Sequence, residues 1–542
     1  MILWTGPLLP LAALVWPLLL AALTALPGLR AQGVRLLPIA PLPALWLALA
    51  GAEEVTTAPD LLLGVTLRLT EGGRLLLGMA AALWCLAGLA ARPMAGKPNA
   101  ALFAGFWLLT LTGNLGVFLA RDIVTFYVAF AAVSLAAWFL IVHDRTPRAL
   151  HAGSVYIVIA LAGEVALLVG LILGADAAGS MVIAEVRAVL DPLPLALLVI
   201  GFGIKAGMVP LHVWLPLAHP AAPVPASAVL SGAIVKAGLF GLILFLPDGA
   251  FGPVLVGLGL AGAFGAALWG LTQANAKVVL AYSTISQMGL MIGLIGAGGA
   301  AREAVPYFAL HHGFAKGALF LCVGVMLAAG ARWQRLACLT VAGIVAASVA
   351  GFPLTGGALA KAAVKDGLPE IAVTVLSLTS VTTSLILIWF LVTLCGPEGS
   401  GAASRWTPRL MVPALAGVLA LAVPWGLWPV WSDHEAAYLL TPATMWDALW
   451  PVVAALPFAL ARLLWHRKSR PLRDILRDIG RWRPGSTGLS EGFAPAAWAA
   501  RGEALSAALL GATGRLEGAL IRWRVSGLLI PVVVLAIFAL LA

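Results

Sequence analysis

The chain has 542 residues, of which 62% are hydrophobic and only 10% are charged, and its formal net charge is +10. Its mean hydropathy is +1.02. A water-soluble core cannot bury that much apolar surface, so the composition excludes a soluble enzyme. Each helical crossing of a bilayer core about 30 Å thick needs roughly 20 apolar residues. The long apolar segments therefore predict an all-α polytopic membrane protein.

Hydropathy predicts about sixteen transmembrane helices. The first segment has no basic leader and no small-residue cleavage site, so it is interpreted as a span and not as a signal peptide. The spans lie near residues 7–27, 36–51, 75–91, 99–120, 123–142, 152–174, 192–215, 222–247, 250–273, 278–299, 304–330, 336–363, 371–395, 410–431, 444–464 and 525–542.

Basic residues are distributed unevenly among the loops. Loops after odd-numbered spans hold eleven Lys and Arg residues, whereas loops after even-numbered spans hold six, and a further basic run follows the fifteenth span. The positive-inside rule then predicts a multi-pass protein of the bacterial inner membrane, with both termini on the non-cytoplasmic side. The segment 466–524 would be cytoplasmic. Its apolar residues recur at helical spacing, which predicts an amphipathic lateral helix along the membrane face.

Several cofactor and partner classes are disfavoured by the sequence. The basic residues are scattered among apolar segments and form no aromatic-laced patch, so nucleic acid is not expected as a partner. The cysteines are Cys85, Cys322, Cys338 and Cys395. They show neither CxxC spacing nor a nearby histidine cluster, which argues against zinc or an iron–sulfur cluster. The histidines lack the paired spacing of a bis-histidine haem. We expect no cofactor and no metal.

Ionisable residues within the predicted spans are few, and each is costly at bilayer depth. They are Glu164, Lys205, Lys236, His311, His312, Lys316 and Lys361. Burial disfavours the charged form of a lysine, so a lysine in a partly hydrated cavity can take up and release protons near neutral pH. One such lysine could simply be paired with a carboxylate. Four of them favour a relay of lysines and water.

Helix-breaking residues lie beside two of these lysines. The seventh span has Pro210 and Pro216 just after Lys205, and the twelfth has the segment Gly351-Phe-Pro-Leu-Thr-Gly-Gly before Lys361. Unwound backbone is tolerated in a membrane only where it is buried in protein or lines a hydrated cavity. Interrupted helices in corresponding positions of two halves are typical of inverted-repeat transporters.

Several motifs together resemble a known family. They are Gly201-Phe-Gly-Ile-Lys-Ala-Gly-Met-Val-Pro, continuing to Lys236-Ala-Gly, then Lys277-Val-Val-Leu-Ala-Tyr-Ser-Thr-Ile-Ser-Gln-Met-Gly, His312-Gly-Phe-Ala-Lys316 and the segment from Gly351 to Lys361. Over residues of about 100 to 400 the chain resembles the antiporter-like proton-translocating subunits of respiratory complex I, group 4 membrane-bound hydrogenases and Mrp-type antiporters. The hydrogenase-4 and formate hydrogenlyase branch is the most similar.

The resemblance implies a domain organisation of two inverted five-helix repeats with broken helices at spans 7 and 12. The predicted divisions are 1–98 for spans 1 to 3, 99–247 and 248–396 for the two repeats, 397–465 for spans 14 and 15, 466–524 for the lateral helix, and 525–542 for the last span. It further implies that Lys205 is the relay lysine of the first half, that Lys236 passes protons toward the centre, that His312 and Lys316 lie on the central axis, and that Lys361 is the second-half lysine.

One position departs from the family pattern. Family members usually have a glutamate in the fifth span that pairs with the seventh-span lysine, but this sequence has Ala131 there. Two readings follow. Glu164 in the sixth span is the replacement partner of Lys205, or the first half no longer pumps and the subunit is partly a scaffold.

Three functions are compatible with these motifs. The first is a proton-translocating membrane subunit of a complex I-like or hydrogenase-linked complex, bound to other membrane subunits and doing no redox chemistry itself. The second is a Mrp-type cation/proton antiporter subunit, although metal cations would prefer clustered carboxylates or carbonyls to lysines. The third is a proton-coupled energising subunit of an inorganic-carbon accumulation complex.

Overall fold

The structure is a computed structural model that describes residues 8–26, 32–51, 55–396, 407–432 and 434–466. All of these residues lie within Met1–Leu472, one of the two units into which the chain divides. The predicted sixteenth span and the predicted lateral helix, beyond residue 466, lie outside the described residues. The architecture below is therefore that of the first unit.

The first part of the described chain contains twelve α-helices and one β-hairpin. In the hairpin, Val55 lies opposite Arg68 and Ala58 lies opposite Val65. The bounds are α1 Leu9–Ala25, α2 Gly33–Leu36, α3 Leu42–Ala50, β1 Val55–Ala58, β2 Val65–Arg68, α4 Glu71–Ala91, α5 Ala100–Leu119, α6 Ile123–Ile141, α7 Pro147–Ala178, α8 Ile183–Ala188, α9 Pro192–Ala206, α10 Trp214–Ala221, α11 Val224–Val229 and α12 Val235–Phe245.

The second part of the described chain is helical. A π-helical turn, Leu230–Ile234, joins α11 to α12, so that these two form one span. The remaining helices are α13 Gly252–Gly270, α14 Ala276–Ala297, α15 Gly299–Glu303, α16 Val305–Ala328, α17 Arg332–Ala350, α18 Gly356–Ala363, α19 Glu370–Leu394, α20 Thr407–Trp431 and α21 Pro442–His466.

The described residues form an all-α polytopic membrane protein, as predicted. Among them, 13 helical segments are long and apolar enough to cross a membrane, and two shorter apolar helices cover Leu9–Thr24 and Pro192–Ala206. The second predicted span, 36–51, is not one helix: it consists of α2, a short 3-10 segment and α3, and it begins at Gly33. The sequence analysis also missed the hairpin, although its β-branched residues Val55, Thr56 and Thr57 are typical of strands. The total number of spans stays a prediction.

Both predicted helix interruptions are present. α9 ends at Ala206, where Gly207 adopts φ +74°, and helix resumes at Trp214. α17 ends at Ala350, where Gly351 adopts φ +93°, and helix resumes at Gly356. Glycine adopts this left-handed conformation without strain, which explains why these two helices end where they do.

Asp122 fastens the hairpin to the start of α6. Its carboxylate accepts hydrogen bonds from the backbone N–H of Thr125, at 2.7 Å, and of Thr66 in β2, at 2.8 Å. The first of these is a helix N-cap. Burial raises the pKa of the Asp122 carboxyl, and the hydrogen bonds from Thr125 and Thr66 oppose that shift. Loss of this side chain would remove the helix N-cap and one contact of the hairpin, whose Thr66 carbonyl also accepts a 2.9 Å hydrogen bond from Arg121 N.

α14 and α16 lie at the centre of the helix assembly. The membrane-crossing part of α14 is wholly buried, whereas that of α21 is only 17% buried. Small residues let α13 approach α14 very closely: a Cβ at Gly259 would lie 2.5 Å from Gly293 N and 2.7 Å from Gly289 O. Small residues at helix interfaces are the usual means of close packing in membranes. This packing places the polar side chains of α14 away from lipid.

Candidate functional site

All six residues predicted for the relay are buried. The exposed fraction is 5% for Glu164, 3% for Lys205, 0% for Lys236, His312 and Lys316, and 5% for Lys361. None of the four lysines takes part in an ion pair within the described part of the chain. Four buried ammonium groups without carboxylates are unusual, because burying a charge is costly unless it is paired or well hydrogen-bonded.

Lys236 and His312 form the closest pair of titratable groups. Lys236 Nζ lies 2.8 Å from His312 Nδ1 and donates a hydrogen bond of 2.7 Å to the carbonyl of Ser231. Ser231 belongs to the π-helical turn that precedes α12. Such turns alter the α-helical hydrogen-bond pattern and are frequent at functional sites. A charged Lys236 requires His312 Nδ1 to accept, which places the ring hydrogen on Nε2.

α14 supplies hydroxyl groups to this centre. Lys316 Nζ donates a short hydrogen bond to Ser283 Oγ. The adjacent Thr284 Oγ1 lies 2.7 Å from Ser231 Oγ. Two neighbouring residues of α14 thus reach both central lysines. Ser283 contacts Lys316 directly, and Thr284 contacts Ser231, whose carbonyl accepts the hydrogen bond from Lys236. A buried hydroxyl both donates and accepts, so it can pass a proton along a hydrogen-bonded chain.

A line of polar side chains runs from Lys316 to Lys361. Gln287, one turn after Ser283 on α14, donates a hydrogen bond of 2.8 Å to Thr383 on α19. Ser380, one turn before Thr383, accepts a 2.9 Å hydrogen bond from Lys361 Nζ. We call Ser283, Gln287, Thr383 and Ser380 the polar track; each is at most 7% exposed. It joins two lysines that lie 45 residues apart in the sequence.

The sequence analysis did not assign the polar track. Ser377, Ser380, Thr383 and Ser384 recur at three- and four-residue intervals on α19. This spacing places them on one helix face. The polar stripe on this apolar helix could therefore have been predicted from the sequence. The hydrogen bond between Thr383 and Gln287 could not, because it joins residues 96 positions apart.

His311 is another residue whose role the sequence analysis left open. Its Nε2 lies 2.9 Å from Ser348 Oγ on α17, and that oxygen also accepts from Gly357 N at 3.3 Å. A Cβ at Gly357 would lie 2.9 Å from His311 Cε1, so a glycine is needed there. The His311 ring therefore holds the start of α18, the short helix that carries Lys361.

Lys205 and Glu164 lie near the contact between α7 and α9, where a Cβ at Gly163 would be 3.2 Å from Ile204 Cδ1. No ion pair joins the two in the part of the chain that the structure describes. Lys205 Nζ instead faces two rings, at 5.4 Å from the Phe130 centroid and 5.8 Å from the Tyr156 centroid. Cation–π contacts of this kind stabilise a buried cation. Glu164 as the partner of Lys205 stays a prediction.

A wide cavity opens on the face that bears Lys97 and Asp144. Its volume is about 620 Å³, and its lining includes Lys97, His143, Asp144, Pro225 and Leu321. Burial lowers the pKa of His143, whereas the neighbouring Asp144 raises it. The cavity is large enough for many water molecules.

A buried histidine lies on α10, the helix directly before α11, which lines this wide cavity. His219 is fully buried, stacks on Phe320 at 4.5 Å, and has no hydrogen-bond partner for either ring nitrogen among the described residues. Its carbonyl accepts a hydrogen bond of 2.9 Å from Ser227 on α11. Two other residues of α11, Val224 and Pro225, line the cavity. An unpartnered buried imidazole of this kind is a suitable site for water.

Replacing a central lysine tests whether these cations serve the fold. Lys236→Met and Lys316→Met are each expected to leave the melting temperature of the purified protein unchanged or raised, because Met fills a similar volume without the desolvation cost of an ammonium. The measurement is thermal unfolding in detergent.

Arg302→Met is the matched control, since Arg302 is a buried cation with a structural role. It donates to the carbonyls of Ile243, at 2.8 Å, and Pro247, at 3.1 Å, and pairs with Asp248 at 3.5 Å. Its loss should lower the melting temperature by several degrees. A similar decrease for both lysine variants would show that the lysines are structural.

Comparison with known proteins covers the region that holds these residues. Residues 120–387 match the family described as NADH:quinone oxidoreductase/Mrp antiporter, transmembrane. Hydrogenase-4 component B of Escherichia coli is 32% identical over 262 residues, which are 44% of this chain and 39% of that protein. NAD(P)H-quinone oxidoreductase chain 4 1 of Picosynechococcus is 34% identical over 259 residues, 44% of this chain and 47% of that protein. The chain thus spans less than half the length of these two relatives.

A solved structure extends the likeness to the rest of the fold. The Mrp complex from Dietzia sp. DQ12-45-1b matches with a TM-score of 0.70 at 21% identity, over 99% of this chain and 63% of that chain. At this identity the match shows the fold alone. The family resemblance expected from the motifs is confirmed for the matched region: residues 120–387, which include all six predicted relay residues, belong to the antiporter-like membrane subunits of the NADH:quinone oxidoreductase/Mrp antiporter family.

Proposed function

We propose that this chain is a proton-translocating membrane subunit of a multisubunit complex of the complex I-like or hydrogenase-linked kind. The observation that carries the proposal is the set of four buried lysines that form no ion pair among the described residues, two of which lie at the ends of the polar track. The names of the two relatives, hydrogenase-4 component B and NAD(P)H-quinone oxidoreductase chain 4 1, support the same reading. Other membrane subunits are the proposed partners, and redox chemistry is assigned to them.

The central step is a proton transfer from Lys236 to His312. The N–H bond of the Lys236 ammonium breaks, His312 Nδ1 gains the proton, and the hydrogen on Nε2 leaves to the far side of the ring. His312 Nε2 has no protein partner among the described residues, so water is the natural acceptor there. The neutral Lys236 can then be reloaded from the side of His219 and the wide cavity. A relay of this type needs both lysine states to be accessible.

The polar track carries the second step. A proton released near Lys316 travels to Lys361 through water held along the polar track by the hydroxyls of Ser283, Thr383 and Ser380. The Gln287 amide orients this water and neither gains nor loses a proton. The side-chain oxygen Oε1 of Gln287 has no partner in the described structure, which leaves an acceptor free for such a water. Charge on one lysine disfavours charge on the next, so a proton arriving at one site promotes release from its neighbour.

The two interruptions support an inverted-repeat organisation, which we include in the proposal. Within the predicted halves 99–247 and 248–396, the interrupted span is the fourth in each case, and each interrupted span carries a lysine. The distribution of basic residues supports a cytoplasmic assignment for the face of the wide cavity, because Lys97, Arg145, Arg148 and Lys277 lie on that side. Proton movement would then run from the wide cavity toward the opposite face.

The positive charges of the lysines also favour protons over metal cations as the transported ion. Sodium or potassium would have to pass Lys236, Lys316 and Lys361 without a compensating carboxylate in the described path. Hard cations require several oxygen ligands, preferably charged. Proton transfer is therefore favoured over cation exchange along this path.

Glu164 is expected to take part in proton translocation. Glu164→Gln should slow proton translocation by the reconstituted complex about a hundredfold, the lower end of the range for loss of a general acid or base. The measurement is the acidification of proteoliposomes during turnover. Glu185→Gln removes an exposed carboxylate on α8 and serves as the matched control. Unchanged translocation in Glu164→Gln would remove Glu164 from the path and favour the scaffold reading of the first half.

The second prediction concerns the polar track. Gln287→Leu should reduce proton translocation roughly fivefold, the factor that corresponds to one hydrogen bond of about 1 kcal/mol in the barrier. Ser286→Ala is the matched control, because the neighbouring Ser286 is equally buried but donates to the carbonyl of Ala263, outside the track. Equal rates for both variants would contradict a route through Gln287.

A further inference from the structure

A small cavity lies between Lys361 and one face of the protein. Its volume is about 60 Å³, and its lining includes Lys361, Lys365, Ser380, Tyr438, Thr444 and Asp447. One water needs about 10–15 Å³ of such space, so the cavity has room for a short chain of water molecules. Several groups in the lining are polar or charged, which suits water better than lipid.

Lys365 and Asp447 stand at the outer end of this cavity. Lys365 Nζ lies 3.9 Å from Asp447 Oδ2, and the side chains are 23% and 59% exposed. Lys365 follows Lys361 by four residues, so both can face the same cavity. Desolvation lowers the pKa of Lys365, and the Asp447 carboxylate opposes that shift. The exposed fraction thus increases from 5% for Lys361 to 23% for the Lys365 side chain and 59% for the Asp447 side chain.

A hydrogen-bonded pair of side chains holds the same region together. Asp366 Oδ1 lies 3.3 Å from His434 Nε2, and both side chains are about two-fifths exposed. The His434 ring stacks on Tyr438, a cavity-lining residue, at 4.2 Å. The turn after α18 is thereby fastened to the segment between α20 and α21. We call Lys365, Asp366, His434, Tyr438 and Asp447 the exit mouth.

We propose that the exit mouth is the outlet through which protons leave Lys361, with the Lys365–Asp447 pair as its valve. This inference rests on the proposed function and adds residues outside the matched family region, 120–387, to the path. In the release step an N–H bond of Lys361 breaks, cavity water carries the proton, and an O–H bond forms on Asp447. Asp447 then gives the proton to bulk water, so no other reactant is consumed.

The charges in the exit mouth give the step a direction. A charged Lys365 disfavours a second charge on Lys361, which promotes release. Asp447 attracts the released proton and pairs with the Lys365 ammonium at the outer end of the cavity. Asp366 and His434 are the other titratable groups on this turn and its neighbour, and their pairing keeps Tyr438 against the cavity.

The test uses the full chain in its complex, reconstituted into proteoliposomes. Asp447→Asn and Lys365→Gln should each slow proton translocation about a hundredfold, the lower end of the range for loss of a proton-transferring group. Asp248→Asn is the matched control: its side chain is also 59% exposed and also pairs with a cation, Arg302, but away from this cavity. Lys361→Met is measured beside them.

A second experiment tests whether the small cavity is open to the face that bears Asp447. In a background with Cys85→Ser and Cys395→Ser, which removes the cysteines that are not buried, Ser377→Cys places a thiol on the cavity wall. The membrane-impermeant cation MTSET should modify this variant from the face of Asp447. Asp447→Asn should slow the reaction about tenfold relative to the anionic reagent MTSES, because a carboxylate at the mouth concentrates cations. Asp248→Asn should leave both rates unchanged.

The outcomes separate the two proposals. If Lys361→Met abolishes translocation while Asp447→Asn and Lys365→Gln translocate like wild type, the exit mouth is wrong and the relay stands. If Lys361→Met also translocates like wild type, the relay itself is wrong. Failure of both reagents to modify the Ser377→Cys variant would show that the cavity is closed to this face, and would overturn the exit mouth.

Discussion

The burial of four lysines that form no ion pair within the described residues is the constraint on which the rest of this structure depends. Lys236 and Lys316 are fully buried, and Lys205 and Lys361 nearly so. An ion pair would stabilise each of them, but it would also hold the proton in place. The protein instead surrounds the lysines with carbonyls, hydroxyls, an imidazole and aromatic rings. These groups stabilise a proton without trapping it.

Irregular backbone supplies several of those partners. A regular α-helix uses its carbonyls internally, so a lysine in a membrane helix finds few free acceptors. The π-helical turn before α12 offers the carbonyl of Ser231 to Lys236, and the end of α17 offers that of Ala350 to Lys361, at 2.8 Å. At the other interruption the carbonyl of Ile204 is taken by Trp214, at 2.8 Å. The broken helices therefore have a chemical purpose besides flexibility.

The features that could be predicted are those that give a physical signal in the sequence. A lysine or a Gly–Pro cluster stands out in an apolar segment, so the buried lysines and both interruptions could be read from the sequence. Ser, Thr and Gln are ordinary in such helices, and the Gln287–Thr383 contact depends on how α14 packs on α19. The sequence analysis used no pattern that predicts the π-helical turn. Glu164 was named from its position one span away, and its partnership with Lys205 stays a prediction; the contacts of Lys205 with the Phe130 and Tyr156 rings depend on helix packing that the sequence does not show.

The central claim is that a continuous hydrated path connects the buried lysines. The most direct measurement is an experimental density map of the intact complex at a resolution that shows ordered water. The account predicts waters within hydrogen-bonding distance of His312 Nε2, Gln287 Oε1 and both ring nitrogens of His219, and a further chain beside Lys361. Dry, tightly packed side chains between Lys236 and Lys361 would contradict it.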